Sequence, residues 1–140
     1  MTNSIFPCLW FDGQSKEAAD FYCSVFPNSK IISSNPIVVI FELDGKKFMG
    51  LNGGPEYKFT EAVSFVVNCD TQEEIDNYWH NLTQGGQEGK CGWLKDKFGV
   101  SWQIVPSILG NLMSDPEKAP RVMYAFMQMK KFDIEKLKQA

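Results

Sequence analysis

The sequence repeats one order of predicted elements: a strand, a helix and a hairpin occur in each half. Asp12 ends the first predicted strand, and Asp70 ends its counterpart 58 positions later. Phe21-Tyr22 on the first predicted helix corresponds to Tyr78-Trp79 on the second, 57 positions later. Self-similarity at a nearly constant spacing indicates an internal duplication. The chain is therefore expected to build two similar small units.

The first half is predicted to form a strand, a helix and three further strands. An apolar run over residues 5–11 meets Asp12-Gly13, which suits a strand that enters a turn. Apolar residues then recur at helical spacing before Pro27: Ala18, Phe21, Tyr22, Val25 and Phe26. Three Ile-, Val- and Phe-containing strands follow, the last two flanking the hairpin signal Asp44-Gly45: 30–34, 37–43 and 46–51. Residues 52–55 break the pattern and are interpreted as a linker.

The second half repeats this order. A strand over residues 63–67 precedes a capping box, formed either by Asp70 with Glu73 or by Thr71 with Glu74. The helix that follows has an apolar stripe ending before Gly85-Gly86: Ile75, Tyr78, Trp79 and Leu82. Two short strands joined by a turn complete the unit: 93–95, 96–99 as the turn, and 101–105.

The remaining tail is helical in pattern. Its apolar side is rich in methionine: Ala119, Val122, Met123, Phe126 and Met127. Asp133 is placed to cap a last short helix that contains Ile134 and Leu137. The stripe suits either packing on the chain's own sheet or a dimer contact, and the sequence leaves both open. We predict one α+β domain over residues 1–140, with unit one at 1–55, unit two at 60–106 and the tail at 107–140.

Charge and composition exclude several classes of function. The 14 basic and 17 acidic residues give a net charge of −3, so a nucleic-acid partner is not expected. Apolar runs fall well short of the ~18 residues that a membrane span needs, and residues 1–5 lack the pattern of a secretory leader. The four dispersed cysteines are expected to be reduced. We therefore expect a cytoplasmic protein with no membrane partner.

Several segments resemble the vicinal oxygen chelate superfamily, which includes glyoxalase I, bleomycin-resistance proteins and extradiol dioxygenases. They are most similar to its PhnB-like branch, often named demethylubiquinone methyltransferase. These segments span nearly the whole chain: PCLWFDG (7–13), FY (21–22), FPNSK (26–30), FMGLNGG (48–54), SFVVNC (64–69), CGWLKD (91–96), FG (98–99), SWQIVP (101–106) and KA (118–119). The resemblance implies two tandem βαβββ units, a mixed sheet curled around a cleft, and a homodimer. In much of the superfamily that cleft holds a divalent metal.

A single histidine, His80, excludes metal sites that need two or three imidazoles from one chain. The resemblance places metal ligands on the first strand and the last hairpin strand of each unit. These positions hold mostly apolar residues: Phe6 or Pro7, Leu51 or Asn52, Ala62 or Val63, and Gln103. Neutral amides alone are weak ligands for a transition metal. We expect no metal and no other cofactor, with metal-assisted chemistry through Gln103, Asn52 and the nearby Glu61 as the alternative.

His80 lies on the polar side of its predicted helix, so we expect it to face solvent. This placement removes the base that a serine or cysteine nucleophile would need. Most methyltransferases that use S-adenosylmethionine have a parallel sheet and a glycine-rich first turn. The corresponding turn here, residues 12–15, contains one glycine. The methyltransferase name is therefore expected to describe the chemistry poorly.

Strand alternation divides the candidate pocket residues between the two faces of each predicted sheet. If Gln103 faces the cleft, Ser101 and Val105 face the same way, and Trp102 and Ile104 face the helices. On the first strand, the sequence leaves open which pair of residues faces the cleft: Cys8 with Trp10, or Leu9 with Phe11.

The residues expected to bind a ligand are two tryptophans, two amides and a cysteine: Trp10, Trp93, Asn52, Gln103 and Cys8. An aromatic pocket with a few amides suits a small, largely apolar and planar molecule. We therefore expect a small-molecule-binding protein that works as a homodimer. The alternatives are a metal-assisted enzyme of the same superfamily and a methyltransferase acting on a quinone-like acceptor.

Overall fold

The computed structural model describes residues 4–140; the predicted ranges that begin at residue 1 extend outside this part. The described chain forms two compact units, residues 4–59 and 60–140. Each unit contains a four-stranded mixed sheet and a helix that packs on one of its faces. The prediction of an α+β fold built from two βαβββ-like units and C-terminal helices is therefore confirmed.

Unit one follows the predicted order of a strand, a helix and three strands. Its elements are β1 (Cys8–Phe11), α1 (Ser15–Val25), β2 (Lys30–Ser34), β3 (Val38–Leu43) and β4 (Lys46–Asn52). The strand order across the sheet is β1-β4-β3-β2, with β1 parallel to β4 and the other pairs antiparallel. The predicted first strand began at residue 5, but β1 begins directly after Pro7, which has no N–H to donate to a ladder.

The hairpin between β3 and β4 has the geometry that its sequence predicts. Asp44 and Gly45 both have positive φ, 51° and 75°, and Leu43 pairs with Lys46 across the turn. Two central residues with positive φ define the type I′ turn, whose twist matches that of the flanking strands. The turn therefore fixes the register of the strands that support one face of unit one.

The core of unit one lies between α1 and the sheet. The buried face of α1 consists of Ser15, Ala18, Ala19 and Tyr22. The Tyr22 ring lies 6.3 Å from Phe41, which stacks on Phe48 at 5.5 Å. Two members of the predicted stripe, Phe21 and Val25, are only half-buried, because the helix turns its small alanines toward the sheet.

Unit two repeats this arrangement with shorter hairpin strands. Its elements are β5 (Ser64–Cys69), α2 (Gln72–Thr83), β6 (Gln87–Glu88), β7 (Trp93–Lys95) and β8 (Ser101–Pro106). The order across the sheet is β5-β8-β7-β6, with β5 parallel to β8. The sequence pattern missed β6, since two residues are too few to show alternation. The four cysteines are free thiols, as predicted.

The capping box of α2 is the one formed by Thr71 and Glu74. The Thr71 side chain accepts a hydrogen bond from the Glu74 N–H, and the Glu74 carboxylate accepts one from the Thr71 N–H at 3.2 Å. This reciprocal pair satisfies backbone donors that the first helical turn leaves free. The helix then buries Ile75, Trp79 and Leu82 against the sheet.

The tail forms α3 (Leu109–Met113), α4 (Ala119–Met127) and α5 (Ile134–Gln139), and it docks on its own unit. Gln72 donates to the Phe132 carbonyl at 2.9 Å and accepts from the Ile134 N–H at 2.8 Å. Lys131 pairs with Asp76 at 2.8 Å, and Phe132 is buried. The sequence pattern does not predict α3, because a five-residue segment that includes glycine shows no helical periodicity.

The apolar stripe of α4 is divided between the interior and the surface. Val122 is buried, and the Phe126 ring contacts Phe132 at 5.9 Å. Met123 and Met127, by contrast, are 47% and 54% exposed. Only part of the stripe therefore packs on the chain's own core. None of the helices in residues 4–140 is long and apolar enough to cross a membrane.

Candidate functional site

The face of the first sheet opposite α1 carries Cys8 and Trp10. Leu9 and Phe11 are buried at 6% and 3% exposure, whereas Cys8 is exposed and Trp10 half-buried. The ladder register places Cys8 beside Met49 and Trp10 beside Leu51. Of the two arrangements that alternation left open, the structure therefore has the one with Leu9 and Phe11 under the helix. The face that carries Cys8, Trp10, Met49 and Leu51 is called the open face of unit one, and it is mainly apolar.

Trp10 is enclosed by the segment that follows β4. Its indole N–H donates to the Gly54 carbonyl at 2.8 Å, and the Tyr57 ring meets it edge-on at 4.9 Å. A side chain at Gly53 would overlap the indole ring, so the backbone there lies directly against it. Residues 52–55, interpreted from sequence as a linker, instead begin an ordered cover over Trp10.

Asn52 lies on the other face and supports the helix. Its amide oxygen accepts from the Ser15 N–H at 2.9 Å, and its amide nitrogen donates to the Pro36 carbonyl at 3.0 Å. Gln14, the N-cap residue of α1, makes no side-chain cap, so Asn52 supplies one from the sheet. Trp10 and Asn52, both predicted to line the pocket, therefore lie on opposite faces of their sheet.

The Cys8 thiol is poorly suited to act as a nucleophile. Partial burial raises the pKa of Cys8 above its ordinary value, so the thiol is protonated at neutral pH. Its neighbour across the ladder is the thioether of Met49, which is not a base. Cys8 can thus contribute an apolar contact on the open face of unit one.

The second sheet brings two of the predicted residues together. Trp102 and Ile104 are buried, while Trp93 and Gln103 pair directly on the face opposite α2, the open face of unit two. Gln103 donates from its side-chain nitrogen to the Ser64 hydroxyl at 2.9 Å, which fixes the plane of the amide. The alternation predicted around Gln103 is confirmed.

Trp102 has a structural role in the turn between β7 and β8. Its indole N–H donates to the Asp96 carboxylate at 2.8 Å, and Asp96 also accepts from the N–H groups of Phe98 and Val100 at 2.9 and 3.0 Å. Asp96 is 3% exposed. A buried carboxylate requires such partners, and here they close the turn.

A pocket of about 420 Å³ opens on unit two beside Trp93. Its lining combines one aromatic ring with charged and hydroxyl groups: Trp93, Lys95, Ser101, Glu61, Glu88 and Lys90. Trp10, Trp79 and Trp102 each donate their indole N–H to a protein oxygen. Within residues 4–140 the Trp93 indole has no such partner, so its ring and its donor both stay available to a ligand.

Sequence reasoning did not select Lys95 or Ser101 as site residues. Both share the face of Trp93 and Gln103, because Lys95 follows Trp93 by two positions and Ser101 precedes Gln103 by two. Alternation did place Ser101 on this face. Ser101 lines a pocket because Glu61 and residues 87–90 lie around it, and the strand pattern does not predict where those segments lie.

Glu61 is held by a lysine of the same pocket. Its carboxylate lies 2.9 Å from the Lys95 ammonium, and this hydrogen bond holds the pKa of Glu61 below its ordinary value. The Glu61 side chain is 63% exposed. Glu61 is therefore an anionic partner for Lys95 at the pocket rim.

The fold is that of the glyoxalase and fosfomycin-resistance class of proteins. The solved structure of the fosfomycin resistance protein FosX from Listeria monocytogenes, with Mn(II) and sulfate, is 14% identical, with a TM-score of 0.58 over 86% of this chain and 97% of that one. A protein from Pseudomonas aeruginosa is 19% identical, with a TM-score of 0.61 over 75% of this chain and 98% of that one. At such identities the likeness shows the fold alone.

A narrower match identifies the family. The sequence profile of 3-demethylubiquinone-9 3-methyltransferase matches residues 3–105. A PhnB protein from Bacillus cereus that carries the same name is 34% identical, with a TM-score of 0.69 over 75% of this chain and 100% of that one. The chain belongs to the PhnB-like 3-demethylubiquinone methyltransferase family. No curated protein sequence matches it.

The residues at the superfamily's metal-ligand positions do not fit a metal. In unit one the open face carries Leu51, which has no donor atom, while the oxygen of Asn52 accepts from the Ser15 N–H on the other face. In unit two, Ala62 and Val63 have no side-chain donor atom, and Gln103 offers one neutral amide, whose nitrogen donates to the Ser64 hydroxyl. The nearby Glu61 is paired with Lys95. No cluster of three or more His, Cys, Asp or Glu side chains suited to a metal occurs in residues 4–140. His80 is exposed on α2, as its position predicted.

Proposed function

We propose that the protein binds a small, planar, largely apolar molecule in the pocket of unit two, without a protein-held metal. The observation that carries the proposal is the pocket of about 420 Å³ beside the Trp93 indole, whose N–H has no protein partner within residues 4–140. Pockets of about 300–1,000 Å³ are typical of small-molecule sites; here one aromatic wall lies among charged and polar groups. A bicyclic aromatic ligand fits this volume.

Trp93 defines how such a ligand binds, because it supplies a ring face for stacking, with its N–H at the ring edge. Gln103 is the ladder partner of Trp93 and does not itself line the pocket; Ser64 fixes the orientation of its amide. Trp10 and Cys8, on the open face of unit one, do not line this pocket, and their role in ligand binding stays a prediction. The hydrogen bonds of Asn52 support a structural role for that residue.

Calorimetry on the full chain tests the proposal, with 2-naphthol and 2-naphthamide as planar probes and cyclohexanecarboxamide as the non-planar control. We expect only the planar probes to bind. Trp93→Leu should weaken their binding about tenfold, because stacking of a planar ring on an aromatic side chain contributes about 1–3 kcal/mol. Trp79→Leu is not a suitable control because Trp79 is buried; Tyr124→Leu, which changes an exposed ring of α4, is suitable. Absence of binding by every planar probe would contradict the proposal.

Methyl transfer is a second candidate function, and the family match over residues 3–105 is what favours it. The sheets are mixed, and the turn between β1 and α1 has one glycine, Gly13, with open space around it. These features give no glycine-rich cradle for a nucleotide-like cofactor. Calorimetry with S-adenosylmethionine at millimolar concentration tests the first step that this function needs: we expect no binding, and saturable binding would favour this second function over the first.

The metal-assisted alternative is tested independently. We expect purified protein to contain no stoichiometric zinc, nickel, manganese or iron after dialysis, because the donor set offers too few anionic or imidazole ligands. Elemental analysis before and after chelation measures this.

The homodimer also stays a prediction. Light scattering would show twice the 15.9 kDa chain mass if it is correct.

A further inference from the structure

Ser101 is a buried hydroxyl without a hydrogen-bond partner. It is 1% exposed, lines the pocket of unit two, and its Oγ bonds to no group in residues 4–140. Buried polar groups are nearly always paired, because leaving one unpaired forfeits the hydrogen bonds it makes in water. A ligand atom that accepts from this hydroxyl therefore recovers an interaction that the protein alone does not make.

Lys95 stands directly opposite Ser101 in the β7–β8 ladder, on the same face. Its ammonium is held by Glu61 at 2.9 Å, and the two side chains are 36% and 63% exposed. Exposed ion pairs of this kind contribute little to stability, since water solvates both charges well. An incoming anion can therefore replace Glu61 as the partner of Lys95 at small cost.

Trp93 precedes Lys95 by two residues, so their side chains leave the same face of β7 about 6.6 Å apart at the backbone. This spacing matches a molecule whose aromatic ring lies on the indole while a carboxylate on that ring reaches the ammonium. The second lysine of the lining, Lys90, adds positive charge. The acidic residue Glu88 is engaged elsewhere, because its carboxylate accepts from the Trp79 indole at 2.7 Å.

We infer that the ligand of this pocket is a planar aromatic acid, whose ring stacks on Trp93 and whose carboxylate displaces Glu61 from Lys95 and accepts from Ser101. The inference rests on the proposed function and names its ligand class. Glu61 then acts as an internal competitor of the ligand. This arrangement predicts the direction of a change in affinity: removing the Glu61 charge strengthens the binding of an acid.

The test compares 2-naphthoate, 2-naphthamide and 2-naphthylmethylammonium by calorimetry on the full chain. These probes share one ring system and differ in charge. We expect the acid to bind about tenfold more tightly than the amide, as for one charge-assisted hydrogen bond. Lys95→Gln should abolish this difference and Lys95→Arg should retain part of it. Glu61→Gln should tighten the acid severalfold and leave the amide unchanged.

Ser101→Ala should weaken the acid, and the chain offers a matched control. Ser15 Oγ is likewise buried and unpartnered within residues 4–140, but it lies at the start of α1, outside the pocket. Ser15→Ala should leave the affinity for 2-naphthoate unchanged, as should Lys138→Gln on α5. Circular dichroism of each variant confirms that it is folded.

The outcomes separate the two proposals. Equal affinity for acid and amide, or tightest binding of the ammonium probe, would overturn the aromatic-acid inference and leave planar-ligand binding intact. A Glu61→Gln variant that binds the acid more weakly would also overturn it. Failure of all three probes and of 2-naphthol would overturn both.

Discussion

The two sheets share one strand order but present different chemistry on their open faces. Counted from the last ladder pairs, Phe11 with Asn52 and Cys69 with Pro106, the residues of β7 and β8 have counterparts in β3 and β4. The counterparts on the open faces differ in type: Met49 corresponds to Gln103, Ile40 to Trp93, Lys47 to Ser101, and Glu42 to Lys95. The two units thus share the backbone ladder and differ in the side chains of their open faces.

This difference locates the candidate site within unit two. In unit one, the tryptophan of the open face is covered by its own chain, with its N–H bonded to Gly54. In unit two, Trp93 borders a pocket that contains a partly exposed ion pair and a buried hydroxyl with no hydrogen-bond partner in the described part of the chain. A surface whose polar groups are already satisfied gains little from a ligand, whereas one with unpaired groups gains more.

The largest predicted effect concerns the turns that close the two hairpins. Asp96→Ala should lower the free energy of unfolding by about 3 kcal/mol, because three donors lose a buried acceptor. In the other hairpin, Asp44→Ala should cost only about 1 kcal/mol, mainly from placing alanine at positive φ. Urea denaturation of both variants measures the contrast. Equal losses would show that Asp96 does not organise its turn in the way described.

The caps of the two helices give the next largest effect. Asn52→Ala removes the hydrogen bonds to the Ser15 N–H and the Pro36 carbonyl, so it should cost about 1–2 kcal/mol. Thr71→Ala, which breaks the local capping box of α2, should cost about 1 kcal/mol. Thermal and urea unfolding provide the comparison. An Asn52→Ala variant with unchanged stability and lost ligand binding would restore Asn52 to the ligand site.

The smallest effect concerns Glu61, whose partner Lys95 corresponds to an acidic residue of unit one, Glu42. The hydrogen bond with Lys95 lowers the pKa of Glu61 in the folded state. The stability that this bond contributes is therefore present above the ordinary pKa of glutamate. It is lost as the pH falls through the lowered value. The stability difference between the wild type and Glu61→Gln should therefore shrink on acidification below about pH 4.5. Unfolding curves at several pH values measure it, with Glu56→Gln as the control; a constant difference would contradict the pairing.

Local sequence signals determined much of the fold. The two-residue signal Asp44-Gly45 and the alternation around Gln103 each depend on neighbours in the chain, so the sequence predicted them. The sequence also predicted a capping box for α2 but left two open, and the structure has the one formed by Thr71 and Glu74. The cap that Asn52 gives to α1 could not be predicted in this way. It depends on Gln14 leaving the helix start uncapped and on the sheet bringing residue 52 to that point.

The candidate site was predictable only in part for the same reason. The composition and alternation of the strands indicated Trp93 and Gln103 as candidate pocket residues, and the two are neighbours on one face of the sheet. The enclosure of Trp10 requires the backbone at Gly53 to lie against its ring, and the unpaired hydroxyl of Ser101 requires its whole surroundings. Both are properties of packing between segments distant in sequence.

The indole N–H signals of the four tryptophans test the central claim most directly. Nitrogen-15 spectra should resolve one signal for each of Trp10, Trp79, Trp93 and Trp102, assigned by single Trp→Phe variants. On titration with 2-naphthamide, we predict that the Trp93 signal moves in a saturable way, while those of Trp10 and Trp102 stay in place because protein oxygens hold their donors. Movement of the Trp10 signal with a stationary Trp93 signal would contradict the account.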